Sequence, residues 1–179
     1  MAILQSVFDV LKEQNAVVGQ GYIISLPPLV VDDGEKVVMW LTNTDPVLNM
    51  HINKFVFALQ TAVNNPKLLQ VETRLYQGTT QPTANHTQLF AGPLDSGSAF
   101  VPPILAYGWN GVGAGMTVAS LGFYGGSLVN IPGLSEFDAQ GSSIVAPGGA
   151  FSLACMKNPF SDAAKVSMFI TGYFRKDFQ

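Results

Sequence analysis

Gly141-Ser-Ser-Ile-Val-Ala-Pro-Gly-Gly-Ala-Phe-Ser-Leu-Ala-Cys-Met156 is followed by Lys157-Asn-Pro-Phe-Ser-Asp-Ala-Ala164 and then by Lys165-Val-Ser-Met-Phe-Ile-Thr-Gly-Tyr-Phe174. The first run places Phe151, Leu153 and Cys155 on one side and Ala150, Ser152 and Ala154 on the other. The last run places Val166, Met168, Ile170 and Phe174 together, with Ser167, Phe169, Thr171 and Tyr173 opposite. A period of two with one apolar side is the pattern of a strand packed on a core. Pro147, Gly148 and Gly149 carry turn chemistry, and the two runs read as a terminal β-hairpin.

Working back towards the N-terminus, the same pattern recurs. Tyr22–Leu26 reads as a strand ended by Pro27-Pro28, and Leu29–Val31 and Lys36–Thr42 flank an Asp33-Gly34 hairpin turn. Both sides of the Lys36–Thr42 run are apolar around Trp40, which predicts a central strand. Ile52–Leu59 presents Phe55, Phe57 and Leu59 on one face, and Asn64-Asn65-Pro66 breaks it. Leu69–Tyr76 alternates as a half-exposed strand. Residues 77–98 are turn-rich, 99–106 resume β character, and 107–115 form a glycine-rich loop. Met116–Tyr124 and Ser127–Ile131 read as further strands, and Leu134–Gln140 as a link. Eight to ten short strands predict an all-β fold, an antiparallel β-sandwich. Ahead of it, Ile3, Leu4, Val7, Phe8 and Leu11 fall at helical spacing. Residues 1–16 are therefore read as a short N-terminal helical arm and 17–179 as the sandwich domain. A lone helix of that length is marginal, so its apolar stripe needs a docking surface on its own body or on a neighbour.

Composition narrows the function classes. Charged residues make up 12% of the 179-residue chain, and the net charge is −3. Between Arg74 and Glu136, Asp95 is the only charged residue. Surface charge helps keep proteins monomeric, so this span reads either as an oligomer or partner surface or as a neutral, loop-rich one. Phosphate binding needs clustered cations, which argues against a nucleic-acid partner. No segment approaches a membrane span of about 20 apolar residues. The first residues lack the basic and apolar regions of a secretory signal, so the chain is expected to fold in the cytoplasm.

No catalytic signature emerges, and no cofactor or metal is expected. Gly111-Val-Gly-Ala-Gly115 departs from the dinucleotide fingerprint by one residue and lacks a βαβ context. There is no Gly-x-Ser-x-Gly elbow. His51 and His86 are too far apart to suggest a zinc site; the first reads as structural and the second as a solvent-facing loop residue. Cys155 shares the Phe151/Leu153 face and reads as a small buried apolar residue. Asp32, Asp33 and Glu35 read as turn chemistry and not as a cation site, and Glu136 and Asp138 as a poor carboxylate pair within one loop. The candidate contact residues are Tyr107 and Trp109 in the glycine-rich loop, with His86. An aromatic there either stacks on a sugar ring or fills a partner's pocket, or folds back over the end of the sandwich.

The ending 144–155 with 166–174, together with Leu75-Tyr-Gln-Gly-Thr-Thr80 and the low charge, resembles jelly-roll structural proteins of tailed bacteriophages, such as head decoration proteins and tail or fibre components. The resemblance covers somewhat more than the last half of the chain. It implies a jelly-roll-like sandwich in a homo-oligomer, often a trimer. That oligomer would attach to other virion proteins in a particle assembled in the host cytoplasm. It brings no catalytic residues. The alternative is a carbohydrate- or receptor-binding module using the Trp109 loop on a surface glycan.

Overall fold

The computed structural model describes residues 20–62, 68–130 and 132–176. The helical arm of residues 1–16, with its stripe Ile3, Leu4, Val7, Phe8 and Leu11, lies outside the described residues, as does Asn64-Asn65-Pro66. Eleven strands are described: β1 Gly21–Val31, β2 Glu35–Asn43, β3 Asn49–Thr61, β4 Val71–Gln77, β5 His86–Leu89, β6 Ala91–Pro93, β7 Ile104–Trp109, β8 Phe123–Asn130, β9 Gly133–Val145, β10 Ala150–Lys157 and β11 Ala164–Arg175. They form two antiparallel sheets, β6-β1-β11-β3-β9 and β5-β7-β2-β10-β4-β8. The all-β sandwich expected from the period-two runs is the fold.

The pairing follows a simple rule. β1 bonds to β11, β2 to β10, β3 to β9 and β4 to β8, so the first four strands meet the last four in reverse order. Strands β5, β6 and β7 extend the two sheets beyond β2 and β1. Two expected hairpins are thereby corrected. β10 and β11 are not partners but lie in opposite sheets, and the Asp33-Gly34 turn carries the chain from β1 in one sheet to β2 in the other. Gly34 sits there at φ 76°, a left-handed conformation that glycine takes without steric cost. The turn's acids are engaged by lysines: Lys36 Nζ is 2.6 Å from Asp32 and Lys157 Nζ 3.3 Å from Asp33. The Lys36 ammonium holds the Asp32 carboxyl below its usual range.

Other boundaries move for identifiable reasons. β1 runs through Pro27-Pro28 because the register slips between Leu26 and Leu29, leaving both prolines outside the ladder. β6 covers only Tyr22–Ile24, so the prolines also lie where β1 is the sheet edge. The link expected at 134–140 is the first half of β9. The strand expected from Met116 begins only at Phe123. His51 lies inside β3, buried and stacked on Tyr173 at 4.9 Å.

The core between the sheets is built by Tyr22, Ile24, Ile170 and Phe174 from one side and Met39, Leu41, Phe151 and Leu153 from the other. Phe55 and Phe151 meet edge to face across the sandwich at 6.4 Å. The outer face at the centre of the six-stranded sheet is also covered. Trp40 and Ser152, in register with each other and on the side opposite Phe151, are 3% and 0% exposed. Residues 79–84 and 115–120 bond to one another (Thr83 N to Thr117 O, 2.9 Å) and reach the sheet through Met116 N to Val37 O at 2.9 Å. Both faces of β2 are therefore apolar, as a central strand requires.

Cys155 is fully buried, 3.7 Å from Thr73 Oγ1, and burial pushes its thiol up to about 12. The expected result is that the native protein does not react with an aromatic disulfide reagent at pH 8, whereas the unfolded chain reacts at once. Rapid modification of the native protein would contradict this packing.

Candidate functional site: an open side of the sandwich

The three residues read as ligand contacts do come together, though not as a presented surface. Trp109 closes β7 and is 4% exposed. Its indole N–H donates to Val112 O at 2.6 Å, and Lys36 Nζ lies 5.2 Å from the ring centroid. Tyr107 stacks on Trp40 at 5.8 Å, and its hydroxyl accepts a bond from Gln81 Nε2 at 3.2 Å. His86 is not a free loop residue. It opens β5, pairs in register with Trp109 and meets Tyr107 edge-on at 4.6 Å, with Nδ1 buried. Only 110–115 of the glycine-rich stretch forms a loop, and it bends back so that Val112 caps the indole. The arrangement is a packed corner, because a large indole gains more by burial than by exposure beside an equally apolar sheet end.

Trp40 and Trp109 are both buried, so acrylamide is expected to quench the native tryptophan emission several-fold less than that of the unfolded chain. Equal quenching in the two states would return the indole to the surface and reopen the sugar-stacking reading.

The carboxylates show no catalytic pairing. Glu136 and Asp138 lie on β9, not in a loop; Glu136 forms an ion pair with Lys54, and Asp138 stands in register with the same lysine. Among the described residues, no group of three or more His, Cys, Asp or Glu is placed to hold a metal ion.

Among the described residues, what the sandwich leaves open is its β8–β9 side. There both sheets end, and between the two edge strands a cleft of ≈ 250 Å³ is lined by Phe55, Phe57, Leu75, Leu128, Phe137 and Leu153. Phe137 is 47% exposed at its mouth, and Phe123, Tyr124 and Val129 project from β8. The charge nearest β8 is already neutralised. Arg74 donates to Glu72 at 3.0 Å and to Glu35 at 3.1 Å, and Tyr76 donates to Glu35 at 2.6 Å. The Arg74 contact lowers the Glu72 carboxyl below its usual range. Tyr76 in turn meets Tyr124 edge-on at 5.8 Å.

No known protein family, curated protein or solved structure matches this chain. The site therefore has to be read from its own chemistry. Among the described residues the open side offers apolar side chains and the edge strands β8 and β9, with charge from Glu136 and Asp138 on β9 and from Lys54, the ion-pair partner of Glu136. Its apolar side chains can bury surface against protein. Sequence reasoning located the charge-poor span but not this side, because Gly125, Gly126 and the mixed Leu134–Gln140 run do not alternate cleanly enough to announce two long strands.

Proposed function

We propose that the protein is a non-enzymatic structural subunit of a virus particle. In this reading it is a jelly-roll subunit that associates with copies of itself through its charge-poor surface and decorates or cements a phage capsid or forms part of a tail. One observation carries the assembly reading. Among the described residues the five most exposed large apolar side chains are Phe160, Phe123, Phe90, Val101 and Leu134, at 87%, 83%, 82%, 80% and 72%. The last four belong to the span between Arg74 and Glu136 that holds one charge. Apolar surface of this extent on a nearly uncharged region is suited to burial against protein.

The strand order supports the jelly-roll part of the reading. The order β1-β11-β3-β9 against β2-β10-β4-β8 fits an antiparallel ribbon of eight strands wrapped as two Greek keys, with β5–β7 inserted between β4 and β8. The test is mass in solution by light scattering across a dilution series, followed by sedimentation with purified particles. A concentration-independent oligomer that co-sediments supports the reading. A monomer that stays in the supernatant sinks it.

A further inference from the structure

Each sheet has two edges, and three of the four are ill suited to pairing with another chain. β6 is three residues long and ends in Pro93, which has no N–H to donate. β5 is four residues long. β9 is long, but it exposes Glu136 and Asp138, so pairing β9 with its own copy would bring carboxylates together. β8 differs from all of them. Its eight residues, Phe-Tyr-Gly-Gly-Ser-Leu-Val-Asn, contain no charge and no proline, and among the described residues its outer edge has no strand beside it. Natural sheets blunt such edges with lysine, proline or inward charge. The remaining device is a bulge: the register against β4 slips between Leu75 and Tyr76, opposite Gly125. Beyond it, Gly126–Asn130 pairs regularly with β4.

We propose that β8 is the self-association strand: Gly126–Asn130 pairs antiparallel with the same segment of a second copy across a two-fold axis near Leu128. This rests on the assembly reading above and specifies its contact. An isologous antiparallel pairing sets Leu128 against its symmetry mate and the flanking residues against one another across the axis, so an uncharged strand meets no like charge. Ser127 then faces Val129 of the second copy, and the two Leu128 side chains meet, extending the apolar cleft that Leu128 lines from one subunit into the next. Strand pairing alone buries much less than the roughly 1,200 Å² of a stable interface. Phe123, Tyr124 and Phe137 flank the strand and enlarge the contact. The product is a two-fold pair with a continuous sheet, in place of the trimer that the phage resemblance implies.

The test uses the full chain. Val129 is 52% exposed, so Val129→Lys leaves the fold intact while placing a cation on each side of the axis. The expected result is a scattering mass half that of the parent, with an unchanged melting temperature. Leu128→Cys is expected to give a two-chain band under mild oxidation that reductant removes, because directly opposed residues fall within disulfide reach. Parent-like association of Val129→Lys with no Leu128→Cys cross-link overturns the β8 assignment and leaves the assembly reading standing. A parent protein that is monomeric at every concentration overturns both.

Discussion

Gly172→Ala lowers the melting temperature by about 8–16 °C, given that each kcal/mol shifts a domain of this size by about 2–4 °C. Gly172 lies opposite a bulge in β3, where Asn53 is skipped and the register slips between Thr171 and Gly172. A Cβ there would stand 2.5 Å from the Tyr22 hydroxyl and 2.6 Å from its ring carbon, and would also press into the carbonyl oxygen of His51. Neither neighbour can yield at low cost. The His51 oxygen belongs to the β3 backbone, and Tyr22 is fully buried, 5.6 Å from the Phe174 ring. Burial holds the Tyr22 phenol far above its ordinary pKa, and its hydroxyl donates to His51 O at 3.2 Å. Overpacking costs about 1–3 kcal/mol, and stranding the buried hydroxyl adds about 1–3 more, so about 4 kcal/mol is expected. Thermal unfolding followed by circular dichroism measures it. Adding Tyr22→Phe to the alanine variant should recover part of the loss, because the two sites share the clash. An alanine variant that melts with the parent would mean that β11 and β1 do not approach as described.

Asn43→Ala is the second large effect, expected at about 3 kcal/mol from three lost hydrogen bonds at roughly 1 kcal/mol each or more where a partner is stranded. Asn43 ends β2 and has no exposed surface. Its amide donates to Leu48 O at 2.8 Å and Val145 O at 3.0 Å, and its Oδ1 accepts from Asp45 N at 2.9 Å. Its backbone adds two bonds to the β9–β10 turn, Asn43 N to Gly149 O and Gly148 N to Asn43 O. One side chain thus ties two connections that cross between the sheets at the same end of the sandwich. Asn43→Asp should cost at least as much, since a carboxylate turns acceptors towards the carbonyls of Leu48 and Val145. The check is the urea midpoint, which should fall with the slope unchanged. A midpoint equal to the parent's in both variants would remove Asn43 as a latch.

The local pattern was sufficient to place the core faces. Phe151, Leu153 and Cys155 are buried on one side of β10, and Val166, Met168, Ile170 and Phe174 on one side of β11, as the alternation predicts. Strand geometry decides this, since side chains two apart must point the same way. The reading failed where local chemistry met long-range pairing. Pro27-Pro28 is a strand breaker by itself, yet β1 continues because a bulge and a missing neighbour remove the need for two N–H groups. On β2 the alternation is interrupted by a register slip between Val37 and Met39, which sets Lys36 opposite Cys155.

For the candidate site the division is sharper. The near-absence of charge between Arg74 and Glu136 is a property of the sequence, and it pointed to a surface that avoids ionic partners. Which parts of that span face outward was decided by the tertiary structure. Trp109 is buried, with Val112 and Lys36 capping it, while Phe123 and Val129 are exposed on β8, an edge strand among the described residues. Alternation says which side of a strand meets the core; it does not say which strand lies next to it. That choice rests on backbone bonds between residues far apart in the sequence, such as Asn43 N to Gly149 O, and no local pattern encodes them.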